Sequence, residues 1–259
     1  MDAPTEPMPQ AGSDRRRILR AFNASLAFVF LLLVVFVSQP GLDVRALAVA
    51  PRDIGQWIGL LAAPLLHGSP EHLGANAGAI LILGTLAGAV YPRATLRALP
   101  LLWLGSGLGA WLLGDPGSRH LGASGLTHGL MFMVAVLGLR RRDRASIAVG
   151  MIGFLFYGSM LVTVLPHEPG VSWQSHLGGA LAGLLAGLLW WRADPLPPRP
   201  RYSWEDEEED AGSPQAGTDA DTLEPPPPRD VPVLWHRRPP VRGVVLRFPP
   251  PRRGPPAEP

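Results

Sequence analysis

A serine hydroxyl is a weak nucleophile at neutral pH and needs a base to take its proton. This chain places one serine and one histidine where such a pair could form. Ser124 lies in a Gly122-Ala123-Ser124-Gly125 turn at the mouth of an apolar segment, and His176 opens another apolar segment 52 residues later. Polar groups at the edge of hydrocarbon are costly and point to function. His72 and Asn76 stand four residues apart, on one face if the segment is helical. An imidazole and an amide so placed can donate hydrogen bonds to a developing oxyanion. The backbone N–H of Ser124, at a helix N-terminus, would be a third donor. The alternative is that His72 and Asn76 hold a neighbouring loop. His67 precedes them in an entry turn formed by Gly68, Ser69 and Pro70.

Other chemistries fit less well. His67-Gly-Ser-Pro-Glu71-His72 has neither zincin spacing, and the seven histidines show no zinc-ligand pattern, so no metal or cofactor is expected. There is no cysteine, which excludes disulfides and thiolate chemistry. No phosphate-binding glycine loop with a lysine occurs, and no nucleic-acid module is present.

The elements that must position these residues are membrane helices. Of 259 residues, 47% are hydrophobic, but they are concentrated in residues 20–192, while 193–259 is rich in Pro, Arg and acids. The first apolar run, Ala21 to Val37, is long enough with its flanks to cross ~30 Å of hydrocarbon. Arg15, Arg16, Arg17 and Arg20 before it also resemble a secretory n-region. The small-residue site Ala48-Val49-Ala50 lies beyond Arg45 and is followed by Pro51, so an uncleaved anchor is expected. Further spans are expected near His72–Val90, Leu99–Leu113, Ser124–Leu139, Ala145–Leu165 and His176–Trp191, six in all. Gly179, Gly183 and Gly187, spaced by four, give a stripe along which a neighbouring helix can approach closely.

None of the 23 basic side chains is lysine, and the arginines set the topology. The N-terminal cluster, Arg93 and Arg97, Arg140 to Arg144, and Arg192 all fall on one side after six crossings. The other side receives only Arg45, Arg52 and Arg119. Both termini are then cytoplasmic. Ser124, His176, His67, His72 and Asn76 land together just below the opposite face.

These residues resemble the rhomboid family of intramembrane serine proteases over about residues 55–190. The carriers are His67-Gly-Ser-Pro-Glu-His72-Leu-Gly-Ala-Asn76, Gly122-Ala-Ser124-Gly125 and His176-Leu-Gly-Gly179-Ala-Leu-Ala-Gly183. The resemblance implies an all-α membrane protein with a six-helix bundle. It implies a dyad of Ser124 and His176, an oxyanion hole lined by His72 and Asn76, and a structural role for His67. It also implies close helix packing at Gly179 and Gly183. The expected activity is cleavage of transmembrane protein substrates near their outer ends through an acyl-enzyme, in a bacterial inner membrane. A rhomboid-like protein that binds membrane clients without cutting them is the alternative, and such proteins usually lose the serine or the histidine. Two departures stand out. Ile58-Gly59 follow Trp57 where the family often has Trp-Arg. His128 stands one turn after Ser124, where an aromatic ring, commonly Tyr, is frequent. His128 is expected to stack on or hydrogen-bond His176 and so orient it, unless it is a simple replacement of one ring by another.

Residues 1–18 and 193–259 are expected to be disordered and cytoplasmic, flanking a membrane domain of residues 19–192. The tail holds an acidic run, Glu205 to Asp210, and a Pro225–Pro228 run. Its patch Val231 to Arg238 could touch a partner or anionic lipid, but a solubilising role is the simpler reading. The sequence leaves the oligomeric state open.

Overall fold

The computed structural model describes residues 9–166 and 170–196. Among these, every regular element is a helix, and one isolated antiparallel bridge joins Val49 to His120. Helix α1 spans Pro9–Ser38. Short helices α2 (Val44–Leu47) and α3 (Ile58–Ala62) follow in the first loop. Helix α4 (Pro70–Ala79) runs through a π-helical turn, Ile80–Gly84, into α5 (Thr85–Val90). Then come α6 (Pro92–Leu113), α7 (Ser124–Arg141), α8 (Arg144–Tyr157), α9 (Met160–Thr163) and α10 (Trp173–Trp190). The runs Ser13–Gly41, Pro70–Val90 and Pro92–Leu113 are long and apolar enough to cross a membrane. The other three expected spans are shorter (α8) or carry polar residues in their first turns (α7 and α10).

Four features differ from expectation. Residues 9–18, expected to be disordered, form the start of α1. Arginine and leucine favour helix there, and an Arg17–Asp14 ion pair one turn apart adds to it. Helix α6 begins at Pro92, seven residues before the expected Leu99, and so carries Arg93 and Arg97 in its first turns. The cause is a cap from far along the chain. Proline at the first helical position has no N–H to satisfy, and the Asp194 carboxylate accepts from the next two, Arg93 N at 2.9 Å and Ala94 N at 3.0 Å. Asp194 is buried, so the ordered body continues past residue 192, the expected end of the domain. Finally, the fifth span breaks at Gly158-Ser159 into α8 and α9. Residues 1–8 and 197–259, including the acidic run and the Val231–Arg238 patch, lie outside the described residues.

The main core is built where α6, α7 and α10 meet, around Leu102, Leu130, Met133, Leu137 and Ala186. Here backbones touch. A Cβ on Gly179 would lie 1.9 Å from the carbonyl oxygen of Gly125, and one on Gly183 2.2 Å from that of Gly129. Gly187 continues the stripe against Val136, while Gly178 faces α6 at Gly105 and Gly109. The glycine spacing read from the sequence is thus a seam between α7 and α10. Helix α1 packs on the α4–α5 rod through Ala21 against Gly88, Ser25 against Gly84, and Leu32 beside Leu73 and Ile80.

The arginine-bearing ends gather at one end of this bundle. Arg141, the last residue of α7, donates to the carbonyl oxygens of Asp194 and Pro195 and to the Asp143 carboxylate. The helix starts that carry Ser124 and His176 lie at the other end.

Candidate active site

Each functional side chain is set by a helix start. Ser69 caps α4, its hydroxyl accepting from His72 N at 3.2 Å, and Pro70 fixes the first helical position. That cap aims one face of α4 inward, with Asn76 buried and His72 partly so. Ser172 caps α10, accepting from Ser175 N at 3.4 Å, and places His176 in the first turns. Helix α7 opens at Ser124 itself, after Gly122. Gly122 has φ +116°, a conformation open to glycine, and its N–H donates to the Ala63 carbonyl at 2.9 Å. A Cβ there would also lie 2.6 Å from the His72 ring. Only glycine lets the turn and the imidazole coexist.

The serine and histidine meet. Ser124 Oγ lies 2.8 Å from His176 Nε2. On its other side, His176 Nδ1 lies 3.0 Å from the carbonyl oxygen of Thr163. A carbonyl can only accept, so Nδ1 carries the proton and Nε2 offers its lone pair to the serine hydroxyl. That is the tautomer a general base requires.

His128 stacks on His176, with ring centroids 3.9 Å apart and planes 13° from parallel. The expected stacking is present, and the two rings do not bond each other directly. The nitrogens of His128 go elsewhere. Nδ1 donates to the Ser124 carbonyl at 2.6 Å, which leaves Nε2 to accept from the Thr163 hydroxyl at 2.8 Å. The group that meets His176 edge-on is therefore Thr163, which no motif or spacing in the sequence singles out.

His72 and Asn76 share one cavity of about 1400 Å³ with Ser124, His128, Thr163 and His176. Its walls come from α4, the loop before α7, α7 itself, the α8–α9 segment and the start of α10. His72 Nδ1 accepts from Gly68 N at 3.5 Å, the long limit for such a bond, which favours a proton on Nε2. Asn76 Nδ2 donates to the His72 carbonyl at 3.0 Å and keeps a second N–H. Three donors, counting Ser124 N, thus belong to residues that line the same cavity.

His67 does not line this cavity. It is buried to 1% exposure behind His72, the two rings edge to face at 5.1 Å. Its backbone is clasped by the Gln39 side chain through two bonds of 2.8 Å. Burial first, and His72 second, lower its pKa to about 4, with the Leu65 carbonyl partly offsetting them. Trp57, the residue before α3, is exposed, and Gly59 two residues on packs on the Ala48 carbonyl, where a Cβ would lie 2.3 Å away.

One further cavity residue was missed by the sequence reading. His120 bridges Ser118 Oγ at 2.8 Å and Ser172 Oγ at 2.7 Å, tying the loop before Ser124 to the cap of α10. Burial lowers its pKa, against a raising influence from Asp115. Its position one residue after Arg119 in a loop carried no periodic signal. Among the described residues no group of three or more His, Cys, Asp or Glu could hold a metal ion.

A family model described as the Rhomboid domain matches residues 54–193. An uncharacterized protein of Mycobacterium tuberculosis (strain H37Rv) is 38% identical over 176 residues, covering 63% of this chain and 72% of its own length. An uncharacterized protein of Mycobacterium leprae is 32% identical over 194 residues, covering 70% of this chain and 76% of its own. The matched domain contains every residue named in the cavity and more than half of the sequence. By that match, and by its all-helical membrane body, this chain belongs to the rhomboid family of membrane-embedded proteases.

Proposed function

We propose that the protein is an active serine endopeptidase that cuts transmembrane segments of membrane proteins by a Ser124–His176 dyad. The observation that carries this is the 2.8 Å contact from Ser124 Oγ to a His176 whose other nitrogen is held on a carbonyl. A client-binding protein without activity has no need of that tautomer.

Ser124 Oγ attacks the scissile carbonyl carbon as its proton passes to His176 Nε2. The oxyanion forms beside Ser124 N, His72 and Asn76, donors fixed before reaction and therefore strongly stabilising. His128, neutral and stacked on His176, spreads a π face against the transient imidazolium. As the C–N bond breaks, His176 returns the proton to the leaving amine. Water then attacks the ester carbonyl, with His176 again as base, and frees the serine. The cavity exceeds the ~300–1,000 Å³ usual for small-molecule pockets, which suits an unwound stretch of polypeptide.

The arginine pattern supports a bacterial inner membrane location, with both termini cytoplasmic and cleavage near the outer face. It also supports six crossings, with the tail that follows the last span on the cytoplasmic side. Cleavage of a transmembrane reporter in liposomes tests the activity. Wild type is expected to cut, and Ser124→Ala and His176→Ala to lose at least about 10³-fold. Equal cleavage by all three sinks the assignment.

A further inference from the structure

Four residues close a hydrogen-bonded circuit around the dyad. Ser124 Oγ meets His176 Nε2, His176 Nδ1 meets Thr163 O, Thr163 Oγ1 meets His128 Nε2, and His128 Nδ1 meets Ser124 O. Each link fixes the sense of the next. Because carbonyls only accept, both imidazoles must carry their protons on Nδ1. His128 Nε2 must then accept, so the Thr163 hydroxyl donates to it. That hydroxyl has one hydrogen, and the longer contact to Met160 O at 3.2 Å gives way to the 2.8 Å one. Thr163, like the nucleophile Ser124 on the opposite side of the circuit, touches both rings, by its main chain and by its side chain.

We infer that Thr163 is a positioning residue for the dyad, doing with a carbonyl and a hydroxyl what a buried carboxylate does for other serine hydrolases. This rests on the endopeptidase reading above. The carbonyl holds His176 in its productive tautomer and stabilises the imidazolium through Nδ1–H. The hydroxyl keeps that carbonyl aimed. Thr163 ends the four-residue helix α9, which follows a break at Gly158-Ser159 and has little packing of its own to fix it. The bond to His128, itself anchored on the Ser124 carbonyl, ties the end of α9 to the helix that carries the nucleophile. His128 thus aligns the base twice, once by stacking on it and once by holding the residue that orients it.

The test compares Thr163→Val, which keeps shape and loses the hydroxyl, with Thr163→Ser, which restores it. In full-length enzyme reconstituted in liposomes, Thr163→Val is expected to lower kcat for a transmembrane reporter by on the order of 10- to 100-fold. KM should stay within about twofold, and Thr163→Ser should return to within about threefold of wild type. Ring nitrogen-15 spectra of histidine-labelled protein provide a readout independent of turnover. His176 is expected as a single Nδ1–H tautomer in wild type and Thr163→Ser, and as a mixture in Thr163→Val. Wild-type kcat and unchanged ring signals in folded Thr163→Val overturn the inference, as does equal impairment of the Val and Ser variants. A wild type that cuts no reporter but shows the tautomer change removes the endopeptidase reading and leaves the positioning role standing.

Discussion

His67 is the residue whose burial has the clearest consequence in solution. Neither of its ring nitrogens makes a well-formed hydrogen bond among the described residues, the Leu65 carbonyl offering only a weak one, and its folded pKa is about 4 against 6.5 for the free side chain. A histidine with a lowered folded pKa binds its proton first in the unfolded chain. The stability it contributes is therefore intact above pH 6.5, and drains away as pH falls from there toward 4. The loss is on the order of 3 kcal/mol, at 1.36 kcal/mol per pKa unit. His67→Phe keeps a ring and gives up only the weak contact to the Leu65 carbonyl, so it should leave the melting temperature at pH 7.5 nearly unchanged. It should also flatten the decline measured in detergent between pH 6.5 and 4; an equal slope in both proteins refutes the account. At this scale the sequence was informative for residues whose type announces chemistry. Ser124, His176, His72 and Asn76 carry recognisable spacing, and the structure gathers them into one cavity. Thr163 and His120 were not legible, because a backbone carbonyl belongs to every residue and a loop histidine has no period to reveal its partner.

Among the elements, α10 matters most, since it carries His176 against α7. Its contact is main chain on main chain at Gly179 and Gly183, so a single methyl has nowhere to go. Gly179→Ala is expected to shift α10, cut fluorophosphonate labelling of Ser124 at least about tenfold, and cost a few kcal/mol by overpacking. Gly74, on the exposed side of α4, meets nothing within 4 Å, and Gly74→Ala should be neutral or stabilise by up to about 1 kcal/mol. Equal labelling of the two variants would show that the seam does not set the dyad. The four-residue glycine spacing foretold this packing because a helix repeats its face at that interval. The break between α8 and α9 was hidden, since Gly158-Ser159 sits within an otherwise continuous apolar run.

For the molecule as a whole, Asp194 decides where the body ends. The sequence placed the boundary at a change of composition. The structure moves it outward, because a buried carboxylate after α10 caps α6, a hundred residues earlier in the chain. Asp194→Ala leaves two N–H groups of α6 without that partner and is expected to cost about 1–2 kcal/mol. The melting temperature should fall while reporter cleavage per folded molecule stays at the wild-type level, since the cap lies at the end away from the serine. A fall in cleavage without a fall in stability would contradict this. The seam has a further meaning in a bilayer whose thickness varies. Helices answer hydrophobic mismatch by tilting. Where the backbones touch directly, at Gly179 and Gly183, there are no rotamers with which to absorb tilt, so α7 and α10 must lean together as one plate. The strain then falls on α4, α8 and α9, the other walls of the cavity. Membrane thickness should accordingly regulate how readily a substrate enters, while the distance between nucleophile and base stays as it was folded.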